Sequence, residues 1–137
     1  MHKRRSLRYR EIINDARRVV VKIGSRVLVQ KSGRPDVRCI RRLSADIAAL
    51  HKDGCEVVIV TSGAIGAGME ALRWTERPAQ LPDLQMAAAI GQTRLMSLYD
   101  EAFSGKGCKV GQILLTHSDF HHKLRMTNAR RTIENLI

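Results

Sequence analysis

The residues best suited to chemistry stand at the ends of two apolar runs. The first run is Val19-Val20-Val21-Lys22-Ile23-Gly24-Ser25, which reads as a buried β-strand that delivers a lysine and then breaks into a glycine–hydroxyl turn. A β-branched run of this kind fits a central strand better than a helix. An ammonium on a buried strand is costly unless an anion or carboxylate meets it. Gly24 lets backbone approach a ligand closely, and Ser25 adds a hydroxyl donor. Lysine, glycine and serine at a strand end therefore make a phosphate cradle. The structural alternative is a strand with one snorkelling lysine. The spacing is not that of a P-loop.

The second run is Val57-Val58-Ile59-Val60, and Thr61-Ser62-Gly63-Ala64-Ile65-Gly66-Ala67-Gly68 follows at once. This is a hydroxyl- and glycine-rich strand-to-helix junction. Open parallel sheets bind ligands at such junctions, because free N–H groups and the helix dipole point there. The glycine order is GxxGxG rather than GxGxxG, which disfavours a nicotinamide cofactor.

Positioning these turns requires a βαβ unit. Val37, Ile40, Leu43, Ile47 and Leu50 mark an amphipathic helix, with Asp36 as its N-cap and Gly54 as a left-handed stop. Two apolar strands around one helix imply parallel pairing. Gln30 to Asp36 is a polar turn, and Trp74 to Asp83, with Pro78 and Pro82, reads as a loop. Leu84 to Phe103 is expected to be a long helix, with Ala87, Ala88, Ala89 and Gly91 permitting close packing. Val110 to Thr116 is expected as a third strand, Thr116 to His122 as a polar loop, and Leu124 to Ile137 as a helix. Residues 1–18 form a basic leader in which Tyr9, Ile12, Ile13 and Ala16 have helical spacing, and residues 19–137 form the domain proper.

Composition narrows the function classes. The chain has 137 residues, 44% hydrophobic and 27% charged, within the range of one domain. No apolar run approaches the roughly 18 residues of a membrane helix, and the basic amino terminus lacks a secretory signal. No membrane association and a cytoplasmic location are the expectations. Cys39, Cys55 and Cys108 are widely separated and odd in number, which argues against a disulfide framework or closed zinc site and for small buried apolar roles. The net charge of +11 raises nucleic acid as a partner. It is scattered, however, and the aromatic residues are too few for a stacking platform, so nucleic acid is disfavoured. His117, His121 and His122 read as a solvated loop rather than a metal site, and no metal ligand is assigned.

Taken together the segments resemble a known family. Val20–Ser25, Ile59–Gly68, Ala88–Met96, Val110–Thr116 and Asn128–Arg130 occur in the order and register of the glutamate 5-kinase family, within the amino acid kinase superfamily. The resemblance covers nearly all of residues 19–137. It implies a three-layer α/β/α sandwich with a mainly parallel sheet, of which this chain is the amino-terminal half. It implies phosphoryl transfer from ATP, with Mg²⁺ bound through the nucleotide, to the side-chain carboxylate of L-glutamate in the first step of proline synthesis. Lys22 matches the family's phosphate-contacting catalytic lysine, with Gly24 and Ser25 beside it on the phosphates. Ser62, Gly63 and Ala64 match the segment that holds glutamate. A homo-oligomer, with proline as feedback inhibitor, is implied as well.

Three features depart from the family pattern. Arg26 stands where a second small hydroxyl residue is usual. The loop before Asn128 reads His121-His122-Lys123-Leu124-Arg125 rather than acidic and arginine-rich. The family's kinase domain is about twice as long, so the chain is expected to be a fragment, a truncated product or one partner in an assembly, inactive alone. The alternatives are a non-catalytic descendant that binds an amino acid or RNA, and an enzyme like N-acetylglutamate kinase. The latter would favour a glycine pair where Ser62-Gly63 stands.

Overall fold

The computed structural model describes residues 15–30 and 33–137. The leader helix expected around Tyr9 to Ile13, and part of the Gln30–Asp36 turn, lie outside the described residues. Strand β1 spans Arg18–Ile23 and β2 spans Glu56–Thr61. They pair in parallel with Lys22 opposite Val60 and Ile23 opposite Thr61. Helix α2 (Val37–Lys52) links them, following a short helix α1 (Ser25–Leu28). The chain is thus an α/β protein built on a parallel sheet.

The start and stop of α2 follow from its sequence. The Asp36 side chain accepts a hydrogen bond from the Cys39 N–H at 3.0 Å, satisfying one orphan donor of the first turn. Gly54 closes the far end at φ 87°. Ile40, Ile47 and Ala48 of α2 are buried against Ile23, Leu95, Tyr99 and Phe103, with Val21, Val57 and Ile59 packed alongside. Residues of odd number in both strands therefore face this core.

The other sheet face is different. Period-two alternation puts Arg18, Val20 and Lys22 of β1 there with Glu56, Val58 and Val60 of β2, and Val20 is 62% and Val60 50% exposed. The reading of Lys22 as a residue on a buried strand is corrected: the core covers one face, and Lys22 is exposed on the other. The cysteines also differ from the buried role expected for them, since all three are free thiols at half-buried positions.

Helix α3 (Ala64–Ala71) springs from the end of β2, and α4 (Leu81–Phe103) crosses it. Helix α4 begins three residues before the expected Leu84, because Pro82 is well suited to a first helical turn, where its missing N–H costs nothing. Of its six buried residues, Ala87, Gly91, Leu95, Tyr99 and Phe103 recur at every fourth position, and Ala102 flanks the last. At the crossing the backbones touch. A Cβ built on Gly91 would lie 1.8 Å from the Ala64 carbonyl oxygen, and one on Gly68 would lie 1.8 Å from that of Ala87. The small residues thus pack within the fold.

Two carboxyl-terminal expectations change. Val110–Thr116 forms no ladder, and the sheet among the described residues has two strands. Leu114 is 68% exposed: apolar character favours a strand only where an edge accepts its N–H and C=O groups. The expected loop at Thr116–His122 contains helix α5 (His117–His121), started by a capping interaction in which the Thr116 N–H donates to Asp119 Oδ2 at 2.7 Å. These hydrogen bonds from Thr116 hold the Asp119 carboxyl below its ordinary value. Helix α6 (Lys123–Leu136) follows. With α5 it meets Arg18 around a cavity of about 210 Å³ that includes Phe120, Met126 and Ile133.

Candidate active site

Parallel pairing brings both turns to one end of the sheet. The Ser62 N–H donates to the Ile23 carbonyl oxygen at 3.0 Å, continuing the ladder past the end of β2. The chain leaving β2 as Ser62-Gly63-Ala64 therefore runs beside the chain leaving β1 as Gly24-Ser25. Lys22 lies one residue back from Ile23 on the open face. All the residues expected at the site are thus gathered at neighbouring carboxyl ends of strands, the place where open α/β sheets hold ligands.

The two turns are built differently. Gly24 is extended (φ −78°, ψ 159°), and α1 begins directly after it, with the Val27 N–H bonded to the Gly24 carbonyl at 3.0 Å. Ser25 and Arg26 are exposed on this turn. Gly63 is left-handed at φ 111° and caps α3, its carbonyl accepting from the Ala67 N–H at 3.0 Å. Only glycine adopts that conformation without strain. A Cβ on Gly63 would sit 3.7 Å from Leu28 and 3.9 Å from Leu95, both of which are 1% exposed. The turn therefore rests on the core. Among the described residues the Gly63 and Ala64 N–H groups have no backbone partner, which leaves them as donors at a helix start.

Sequence reasoning missed the group beneath this turn. Tyr99 of α4 is 3% exposed, and its hydroxyl lies 2.8 Å from Thr61 Oγ1. Thr61 Oγ1 in turn donates to the Ser62 carbonyl oxygen at 3.1 Å. Burial pushes the Tyr99 hydroxyl pKa above its ordinary value. The available signal was the fourfold spacing from Gly91 through Leu95 to Tyr99, which aims a phenol at the sheet end.

Other clusters lie apart. His117 and His121 bring their Nε2 atoms to 3.1 Å on exposed α5, and among the described residues no group of three or more potential metal ligands occurs. The cavity at Arg18 and a groove formed by Gln30, Asp36, Arg38 and Arg42 include none of the site residues. Lys22, Ser25 and Ser62 are exposed, so the strand ends form an open ledge.

The chain is thus a parallel α/β unit that presents two glycine–hydroxyl turns at adjacent strand ends. The chain belongs to the amino acid kinase family, which it matches over residues 17–137. Among its relatives, the glutamate 5-kinase of Pelobacter propionicus is 49% identical over 128 residues, covering 93% of this chain and 34% of that protein. The glutamate 5-kinases of Citrifermentans bemidjiense and a Geobacter species are 49% and 48% identical over the same coverage. The chain thus spans about a third of the length of these curated relatives. No helix among the described residues is long and apolar enough to cross a membrane.

Proposed function

We propose that the chain supplies the phosphate- and glutamate-binding ledge of a glutamate 5-kinase, acting in proline biosynthesis. The observation that carries this reading is the Ser62–Ile23 hydrogen bond of 3.0 Å. It supports the reading because Ser62-Gly63-Ala64, expected to hold glutamate, adjoins Gly24-Ser25, expected to hold phosphate.

In this reading a side-chain oxygen of L-glutamate attacks the γ-phosphorus of ATP. The bond from that phosphorus to the β,γ-bridging oxygen breaks, giving γ-glutamyl phosphate and ADP. A glutamate carboxyl, with a reference pKa of about 4.3, is already ionised at neutral pH, so no general base is required. The barrier is the approach of two anions and the charge spread over the transferring group, which cations and N–H donors lower. Lys22 supplies the cation, Gly24 and Ser25 the close approach and the hydroxyl, and Ser62, Gly63 and Ala64 the substrate contacts. The donor set of ammonium, hydroxyl and N–H groups suits phosphate oxygens, and Mg²⁺ would arrive with the nucleotide and neutralise its charge.

Calorimetric titration of the chain with L-glutamate, proline and a non-hydrolysable Mg²⁺–ATP analogue tests this. Binding of both nucleotide and glutamate supports the kinase reading. Binding of an amino acid alone would contradict it and favour a sensor.

A further inference from the structure

The Tyr99–Thr61–Ser62 contacts admit one ordering of protons. Each hydroxyl has a single proton. Thr61 Oγ1 uses its own to reach the Ser62 carbonyl at 3.1 Å, so the proton between Tyr99 and Thr61, 2.8 Å apart, must come from the tyrosine. The order runs from the phenol to the threonine hydroxyl to the Ser62 carbonyl. Tyr99 is 3% exposed, so its hydroxyl would be costly to leave without a partner.

The end of this relay is a peptide group. Carbonyl and N–H point in opposite directions across a trans peptide. Holding the Ser62 carbonyl toward Thr61 therefore aims the Gly63 N–H the other way. That N–H has no backbone partner among the described residues, and Gly63, at φ 111°, has no Cβ to bar the other orientation of this peptide. The ladder bond from the Ser62 N–H to Ile23 fixes the preceding peptide but not this one.

We infer that Tyr99 is a positioning residue: through Thr61 it fixes the Ser62–Gly63 peptide so that the Gly63 N–H is presented to an anionic substrate. Given the reading of residues 62–64 above, that anion is a carboxylate of glutamate. Tyr99 touches no substrate, because it lies in the core on α4 and acts from beneath the turn.

The test uses the whole chain, labelled with ¹⁵N, and the substitutions Tyr99→Phe, Thr61→Val and Thr61→Ser. Tyr99→Phe keeps the ring and removes only the hydroxyl. The Gly63 and Ala64 amide resonances are expected to shift or broaden in Tyr99→Phe and Thr61→Val, and to return toward wild type in Thr61→Ser, which keeps the hydroxyl. Glutamate affinity should fall roughly fivefold in the first two variants, the equivalent of one neutral hydrogen bond. A merely structural tyrosine would lower the unfolding midpoint and leave those amide resonances in place. Folded Tyr99→Phe with unmoved Gly63 and Ala64 resonances would overturn the proposal. Should Tyr99→Phe not fold, unmoved resonances in Thr61→Val would do the same. If the wild-type chain does not bind glutamate, the substrate reading fails, while the amide resonances still decide whether Tyr99 positions the peptide.

Discussion

A methyl group placed on Gly24 would meet nothing within 4 Å, and the residue's φ of −78° is open to any amino acid. Gly63, at φ 111°, is required by its own backbone. The first glycine therefore has no explanation in the packing of this chain, and the proposed close approach of a phosphate would supply one. Gly24→Ala should leave the urea unfolding midpoint within the scatter of a surface change, about 0.5 kcal/mol. It should weaken binding of the nucleotide analogue at least tenfold. A variant that binds as wild type would remove Gly24 from the phosphate site. At this scale the sequence showed which residues gather but not how each is held. The exposure of Lys22 depends on which sheet face the core covers, and an alternating strand composed almost wholly of valine carries no mark of that choice. The fourfold spacing marks Tyr99 as facing inward, but its contact with Thr61 joins residues 38 apart and the partner is not legible locally.

Among the elements, the helix crossing beneath the Gly63 turn is the most sensitive to a single carbon. Gly91 meets the Ala64 carbonyl and the Gly68 N–H so closely that a Cβ would lie 1.8 Å and 2.3 Å from them. Backbone atoms cannot rotate away as a side chain can, so α3 must move. Gly91→Ala should destabilise the chain by roughly 1–3 kcal/mol, the cost of overpacking a well-filled interior. It should also shift the resonances of residues 63–68. An unchanged unfolding midpoint would mean that the helices are not in backbone contact. The elements that sequence reasoning located, β1, β2, α2 and the body of α4, carry local signals of their own: a β-branched run, an Asp cap, a left-handed glycine, a fourfold repeat. Those it misread depend on neighbours. Val110–Thr116 has the composition of a strand but pairs with neither free edge of the two-stranded sheet, and α5 is set by Thr116 and Asp119 three residues apart, a cap set within a polar stretch.

For the molecule as a whole, sequence and structure agree on a parallel α/β unit, and the family match extends over nearly the same residues; the ligand ledge at its strand ends is the proposal built on that unit. The net charge of +11 suits an anionic ligand, but it is spread over the chain and identifies no binding surface by itself. What identifies the ledge is the coincidence of Lys22, the Gly24 turn and the Gly63 turn at adjacent strand ends. Lys22 has the most direct bearing on this claim, because it is exposed and contributes no buried contact whose loss would unfold the chain. The deciding measurement is the affinity of the non-hydrolysable Mg²⁺–ATP analogue for wild type and for Lys22→Ala at one fixed ionic strength. The account predicts at least a tenfold loss, in line with 1.5–3 kcal/mol for a hydrogen bond to a charged group, with an unchanged unfolding midpoint. Equal affinity in the two proteins would contradict it.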